Sequence, residues 1–267
     1  MAGNTKALRV RIKSVTSTLQ LTKAMELVAS SKIRRANEAM NKGREYKKAL
    51  EKTVTVLSAD GDCQKSPYMQ KRDTGRVRIV IIAGDRGLAG GYNANVFRLA
   101  REYPEAQFIP IGKRACERYS LETVSSEHFS FGDAARMAEE LCRDFREGEF
   151  DRLGVIWTEY ISVMSQEARI TWLLPFEKGE GGKDSQIIFE PDALTVLNNT
   201  VSEYVAGMIT VLCRESYASE VAARRMAMDS AGKNASQMID DLQLEYNRAR
   251  QGAITQEITE IVAGSGV

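Results

Sequence analysis

A glycine-rich loop stands where a phosphate-binding loop would be expected. The stretch IVIIAGDRGLAGGYNANVFRLAR (79–101) passes from an apolar run, through four glycines, into a helical pattern. Its glycine spacing is G-x-x-G-x-x-G-G, and no Lys-Ser or Lys-Thr pair follows. Phosphate-binding loops instead use G-x-G-x-x-G or G-x-x-x-x-G-K-[ST], whose glycines and lysine approach the phosphates. Nucleotide binding is therefore disfavoured, and we interpret the loop as a tight structural turn or as an interaction surface with charges from Asp85 and Arg86.

Other candidates for chemistry are weaker. In GEGGKDS (179–185), Asp184 stands where a P-loop needs Ser or Thr and Glu177 where it needs glycine, so we predict a polar surface loop. His128 is the only histidine and has no G-x-S-x-G motif nearby, so a His-based metal cluster is excluded and a surface or loop position is predicted. The cysteines form no CxxC pair and are predicted to be buried free thiols, at Cys63, Cys116, Cys142 and Cys213.

The N-terminal part of the chain has the pattern of a supercoiled helix. Residues 1–66 lack proline, and steps of four and three residues from Leu8 to Leu57 visit fifteen positions, eleven of them apolar. We call these fifteen positions the N-terminal seam. A 3.5-residue repeat held over seven heptads predicts a left-handed supercoil. About 55 residues at a rise of roughly 1.5 Å would give a helix about 80 Å long.

The C-terminal part is also proline-free, from residue 192 to the end, and contains three apolar stripes. The stripes are Leu194, Leu197, Val201, Tyr204, Met208 and Val211; then Met228, Ala231, Ala235, Met238, Leu242 and Ala249; then Ile254, Ile258 and Ile261. Their phase shifts, so we expect this helix to change partners along its length or to bend near Gly232. Because neither terminal helix can bury its stripe alone, we predict an antiparallel pair of the two ends.

The middle of the chain alternates strand and helix patterns. RVRIVIIA, AQFIPIG, LGVIWTEY and ARITWLLPF predict strands, and residues 93–103 and 133–147 predict helices. Continuous apolar strands between amphipathic helices are typical of an open α/β sheet. The predicted fold is therefore α/β, with a Rossmann-like central domain at 67–191. A long antiparallel coiled coil of 1–66 and 192–267 is predicted to form one shaft.

Charge is concentrated in the first helix. The whole chain has a net charge of +1, whereas residues 1–48 contain twelve Lys or Arg and three Glu. A basic helix can follow a phosphate backbone or a membrane surface, present a solvated face, or meet an acidic protein partner. Residues 1–45 contain no aromatic side chain for stacking on bases, which disfavours binding to single-stranded nucleic acid.

The sequence predicts no segment that enters a membrane. No apolar run reaches the roughly 18–20 residues needed to span a bilayer, and the N-terminus has no signal-peptide core. We therefore expect the chain on the cytoplasmic side, with any membrane association through a partner.

Three segments resemble one family. LTKAMELVASSKIRRA (21–36), GDRGLAGGYNANVFR (84–98) and DLQLEYNRARQGAITQEITEIVAG (241–264) are similar to the gamma subunit of F-type ATP synthases of the bacterial type. They cover all three parts of the chain in the family's order, and the run ITQEITEI is the most specific.

The resemblance implies a rotor without a catalytic site, cofactor or metal of its own. The coiled coil would sit inside a ring of three alpha and three beta subunits, and the α/β domain near the epsilon subunit and the membrane c-subunit ring. Such a rotor couples a proton- or sodium-driven ring to ATP synthesis or hydrolysis on the beta subunits. It implies a peripheral location on the cytoplasmic side of the cell membrane or inner membrane, with no nucleic-acid partner.

The resemblance also implies sites of partner contact. Met25 and Arg224 would face the lower region of beta, although Met25 fits a core position equally and Arg224 fits a solvated face. Arg250, Gln251 and Thr255 would meet the catch loops of beta, although Arg250 also fits a solvated face. The basic first helix would face the acidic lever segment of beta. The glycine loop would be a turn in the docking domain, with the positions Asp85, Arg86, Gly87, Gly90 and Gly91.

Overall fold

A computed structural model describes residues 2–179 and 188–264, with side chains from Thr5 onward. Apart from Gly179, the predicted polar loop at 179–185 lies outside the described residues. The helices are α1 (Ala2–Ala59), α2 (Tyr92–Ala100), α3 (Lys113–Tyr119), α4 (Phe131–Glu147) and α5 (Ala193–Gly264). The strands are β1 (Val77–Ile82), β2 (Gln107–Ile111), β3 (Arg152–Tyr160) and β4 (Gln166–Leu174), and two short 3-10 turns follow α1 at Asp62–Lys65 and Pro67–Met69.

These elements confirm the two long terminal helices and the alternating centre. Only α3 lacks a counterpart in the predictions, because seven residues are too few for a helical period to be recognised. It begins after Gly112, whose φ of +96° lies in a region that side chains other than glycine rarely adopt.

The chain divides into two compact units. The helical unit contains Met1–Ser30 and Arg224–Val267, and the α/β unit contains Ser31–Ala223. These boundaries differ from the predicted domain limits at 66 and 192. The reason is that the second half of α1 and the first part of α5 bury apolar side chains in the same core as the strands. A functional division into shaft and central domain stays a prediction.

The sheet of the α/β unit has the order β2-β1-β3-β4. Strand β1 pairs in parallel with β2 and β3, whereas β4 is antiparallel to β3. Successive side chains of β1 point to opposite faces. Val80 and Ile82 join the core formed with α1, α4 and α5, whereas Ile79 and Ile81 pack in the core that contains Val96 of α2. Burial on both faces explains the continuous apolar run in this strand.

The helical unit is an antiparallel pair. Arg9 of α1 donates a hydrogen bond to the Tyr246 hydroxyl of α5 at 2.7 Å. A Cβ atom added at Gly232 would lie 3.6 Å from the Thr22 hydroxyl oxygen. Lower numbers on α1 thus meet higher numbers on α5, which confirms the predicted antiparallel pairing. Helix α5 continues without interruption through Gly232.

Burial follows the predicted seam and stripes up to the last stripe, except at Met238 of the second stripe, which is 45% exposed. All fifteen positions of the N-terminal seam are buried or half-buried. In contrast, Ile254, Ile258 and Ile261 of the third C-terminal stripe are exposed by 46%, 55% and 64%. No helix in the described ranges has an apolar stretch long enough to cross a membrane.

Candidate functional site

The glycine loop connects β1 to α2 and is held by its own polar groups. The Gly84 backbone amide donates to the Asn93 side-chain oxygen at 2.9 Å. The side-chain amide of Asn93 in turn donates to the Arg86 carbonyl at 3.3 Å. The Gly84 carbonyl accepts a hydrogen bond from the Arg114 amide at 3.1 Å. The loop therefore closes onto the first residues of α2 and α3, as expected of a structural turn.

Asp85 binds three segments together. Its Oδ1 accepts from the amides of Lys113 and Ser126 at 3.0 and 2.9 Å, and its Oδ2 accepts from the Ser125 hydroxyl and the Glu127 amide at 2.6 and 3.1 Å. Burial alone would raise the pKa of this carboxyl, but these four hydrogen bonds outweigh it and lower the pKa. Asp85 is thus an ionised anchor that fixes the start of α3 and the 125–127 loop to the end of β1.

A second carboxyl group lies against the loop from α5. A Cβ atom at Gly84 would be 2.7 Å from the carboxyl carbon of Glu220, so only glycine leaves room for that side chain. Glu220 is 2% exposed. A phosphate cradle needs backbone donors and cations rather than carboxyl groups. The loop is therefore built to receive a helix side chain of its own chain, and its surroundings disfavour a bound phosphate.

Most of the remaining loop residues are exposed, whereas Ala89 is buried. Arg86, Gly90 and Gly91 are exposed and Gly87 is half-buried. Leu88 has a φ of +60° and is 64% exposed. Contact of this loop with a partner stays a prediction.

Replacing Asp85 by asparagine should destabilise the chain by about 2–3 kcal/mol at pH 7, because an amide group would meet donors that now bind a carboxylate. The native pKa lies below the unfolded value of about 3.9. The stabilisation by Asp85 is therefore complete above pH 4 and is lost as the pH falls through the native pKa. Urea unfolding of the wild type and the Asp85→Asn variant at pH 7 and pH 3 should show the difference shrinking.

The exposed Asp73→Asn variant is the matched control and should change stability by less than about 0.5 kcal/mol. If Asp85→Asn lowered the free energy of unfolding equally at both pH values, the stabilising role of the ionised Asp85 carboxylate would be wrong.

A buried polar network joins α1 and α5 to β3. The Arg44 guanidinium donates to the Glu215 carboxylate at 2.5 Å and to the Tyr160 carbonyl at 2.6 Å. The Glu215 carboxylate also accepts from the Tyr160 amide at 3.2 Å. Hydrogen bonding to Glu215 raises the pKa of Arg44 although burial opposes it, so the guanidinium stays charged. Ser216 accepts a hydrogen bond from the Thr158 amide at 3.0 Å and thereby adds a further contact between α5 and β3.

We did not predict this network from the sequence. The available signal was the pair Glu215 and Glu220 within the mostly apolar segment 204–222 of α5. Acidic residues are rarely buried without a partner, so their place on a buried helix face indicates a partner cation or hydroxyl.

The five predicted contact residues on the helices occupy different environments. Met25 and Arg224 are half-buried, and Arg224 takes part in an interaction within the chain. Arg250, Gln251 and Thr255 are exposed, near the end of α5. The Thr255 hydroxyl donates to the Gln251 carbonyl at 2.9 Å. Their roles in partner contact stay predictions.

Two simpler predictions are confirmed. His128 is an exposed loop residue. All four cysteines are buried free thiols, and burial raises the pKa of Cys142 and of Cys213 to about 12. These thiols are therefore poor nucleophiles.

The folded elements define a protein with a Rossmann-like α/β unit and two long paired terminal helices. A family model described as "ATP synthase" matches residues 4–266. The "ATP synthase gamma chain" of Ruminococcus albus is 39% identical, over 98% of this chain and 98% of that protein. The protein of the same name from Geotalea daltonii is 37% identical, over 97% of each. The chain therefore belongs to the gamma chains of the ATP synthase family.

Solved structures share the fold. A chain from the rotor of the Euglena gracilis mitochondrial ATP synthase superposes with a TM-score of 0.69 at 19% identity, over 95% of this chain and 100% of that one. A chain from the central stalk and c-ring of the Tetrahymena thermophila mitochondrial enzyme gives 0.63 at 23% identity, over 79% and 99%. The predicted fold class is confirmed.

Proposed function

We propose that this chain is the central rotor of an F-type ATP synthase. It couples rotation of an ion-driven membrane ring to conformational cycling of the catalytic beta subunits. The observation that carries this proposal is the identity of 39% with an ATP synthase gamma chain over nearly the full length of both proteins. The chain has no catalytic role in the proposal, and the nucleotide chemistry belongs to beta.

Three alpha, three beta, an epsilon subunit and a membrane c-ring are the proposed partners. The solved relatives come from a rotor, from a central stalk with its c-ring, and from an assembly of F1 with a c-ring. The complex would hold this chain at the membrane surface, on the cytoplasmic side.

The end of α5 supports contact with a surrounding ring of subunits. Ile254, Ile258 and Ile261 recur at helical spacing and are 46–64% exposed, so they form an apolar stripe on the described surface. An exposed apolar patch of this kind marks an interaction surface. Arg250 and Gln251 lie immediately before it and would supply polar contacts to beta.

The network of Arg44, Glu215 and Tyr160 supports transmission of torque. It fixes α1 and α5 to β3 of the α/β unit through charge-assisted hydrogen bonds to a buried carboxylate, Glu215. A load applied to the α/β unit would therefore pass into both helices rather than deform a loop. Met25 and Arg224 would act farther along these helices, where unequal contacts favour different states of the three beta subunits.

The proposal is tested by reconstitution. The purified chain mixed with the alpha and beta subunits of its own organism should form one assembly with three copies of each, as measured by native mass spectrometry. ATPase activity should appear in the assembly, and the chain alone should have none. Nucleotide hydrolysis by the isolated chain would contradict the proposal.

Substitutions at the end of α5 test the proposed contacts. Arg250→Gln and Gln251→Ala should each lower the ATPase rate of the assembly about tenfold, the effect of losing one contact of about 1.4 kcal/mol from the rate-limiting state. Because both side chains are exposed, the free energy of unfolding of the isolated chain should change by less than about 0.5 kcal/mol. The exposed Gln243→Ala is the matched control, and equal rates in all three variants would remove these residues from the proposed contact.

A further inference from the structure

A crevice of about 810 Å³ lies in the α/β unit, apart from the glycine loop and from the network of Arg44, Glu215 and Tyr160. It is bounded by residues 31–39 of α1, by residues 126–129 and by residues 213–217 of α5. Its volume falls within the range of small-molecule sites, roughly 300–1,000 Å³. The proposed rotor function assigns no ligand to this crevice.

The lining of the crevice is basic. Four cations, Lys32, Arg34, Arg35 and Arg214, and two anions, Glu38 and Glu127, surround it. Lys32 pairs with Glu127 at 2.6 Å, and the Tyr217 hydroxyl also donates to Glu127. Burial would raise the pKa of Glu127, but these two hydrogen bonds lower it and keep it a carboxylate. Arg34 meets Glu38 at 3.9 Å, and both are exposed, so this pair is weak.

Two guanidinium groups remain uncompensated. Within the part of the chain that the structure describes, Arg35 and Arg214 form no ion pair, and both are exposed. They approach the crevice from different helices, α1 and α5. A guanidinium presents a planar fork of donors that matches phosphate or carboxylate oxygens in bidentate geometry. Two such groups on opposite helices fit a ligand with several anionic oxygens.

A buried hydroxyl also lines the crevice. Ser126 is 6% exposed, and its Oγ has no hydrogen-bond partner among the described residues. The Ser126 amide is already bound to Asp85, and its carbonyl accepts the Cys213 thiol at 3.6 Å. Leaving a buried hydroxyl unpaired costs about 1–3 kcal/mol. A ligand oxygen would satisfy this donor.

We propose that this crevice binds a small oligophosphate, such as pyrophosphate or the phosphate chain of a nucleotide. Arg35 and Arg214 bind its oxygens from the two helices, and Ser126 donates a third hydrogen bond. Lys32 and Tyr217 hold Glu127 away from the anion. An oligophosphate is favoured over an acidic protein segment because two guanidinium groups from separate helices and an unpaired hydroxyl line the same crevice, whose volume suits a small ligand.

Titration calorimetry of the isolated full-length chain with pyrophosphate at low ionic strength tests the site. Saturable binding of one pyrophosphate is expected. Arg35→Gln and Arg214→Gln should each weaken it about tenfold, because each removes a charge-assisted bidentate contact. Arg101→Gln, an exposed arginine elsewhere on the same unit, is the matched control and should leave the affinity within twofold.

Ser126→Ala separates binding from folding. It should weaken pyrophosphate binding about tenfold while the free energy of unfolding stays equal or rises, because an unpaired buried hydroxyl is removed. A lower stability with unchanged affinity would assign Ser126 a structural role and overturn its part in the site.

Two results would overturn the proposal itself. One is absence of binding to a folded chain, or equal affinity in the Arg35, Arg214 and Arg101 variants. The other is tighter binding of a polyglutamate peptide than of pyrophosphate, which would assign the crevice to an acidic protein segment. Because the measurement uses the isolated chain, its outcome is independent of assembly with alpha and beta.

Discussion

Replacing Arg44 by methionine should lower the free energy of unfolding by about 3–5 kcal/mol. Glu215 has a side chain that is only 3% exposed, and its carboxylate depends on Arg44 for its ionic partner. Without Arg44, a buried charge would be left uncompensated and the Tyr160 carbonyl would lose a donor. Urea unfolding monitored by circular dichroism measures the loss.

Two further variants make the Arg44 result specific. The double variant Arg44→Met with Glu215→Leu should recover most of the lost stability, because two apolar side chains replace the buried pair. Lys48→Met breaks an exposed pair with Glu45 on the same helix and should cost less than about 0.5 kcal/mol. A cost below about 1 kcal/mol for Arg44→Met would contradict the proposed connection between the helices and the sheet.

Gly112→Ala should be equally damaging although it adds a single methyl group. The φ of Gly112 is +96°, and a Cβ atom there would lie 1.9 Å from the Ala83 carbonyl oxygen. The backbone just after β2 thus contacts the backbone just after β1. Moving either segment away would break the hydrogen bond that the Ala83 amide donates to the Ile111 carbonyl. We expect a loss of about 4 kcal/mol or more, or an insoluble chain, measured by urea unfolding and by soluble yield.

Gly61→Ala is the matched control for Gly112→Ala. Gly61 has a φ of −62°, and nothing lies within 4 Å of the added Cβ atom. This change should leave stability equal or raise it by up to about 1 kcal/mol, because alanine restricts the unfolded chain. Similar costs at positions 61 and 112 would show that the close approach of the two loops is wrong.

Periodicity made the long elements predictable. The N-terminal seam from Leu8 to Leu57 repeats without a slip, and every one of its positions is at least half-buried. Strand β1 was equally clear, because burial on both faces selects an uninterrupted apolar run. In both cases the pattern lies within one short stretch of sequence, because the spacing of neighbouring apolar residues indicates which faces of the helix or strand are buried.

Contacts between distant residues were not predictable in the same way. Asp85 was interpreted as a possible surface charge, yet it accepts hydrogen bonds from Lys113 and from residues 125–127. Arg44 and Glu215 are 171 positions apart, and no pattern in either helix indicates the other. Such pairs depend on tertiary register, which composition and spacing do not encode.

The candidate contact residues came from the family resemblance rather than from periodicity. Arg250, Gln251 and Thr255 lie on a segment where nearly every residue is exposed, so burial within one chain does not select among them. Periodicity identified Ile254, Ile258 and Ile261 as an apolar stripe, and all three are exposed, whereas most members of the earlier stripes are buried or half-buried.

The proposed function requires this chain to rotate within the ring of alpha and beta subunits. The most direct measurement fixes an assembly of alpha, beta and this chain to a surface through beta. A gold nanorod attached to the α/β unit then reports the orientation of the chain during ATP hydrolysis. We expect unidirectional steps of one third of a turn, because the three beta subunits hydrolyse ATP in succession. A nanorod that stays stationary, or only fluctuates, while the same assemblies hydrolyse ATP would contradict it.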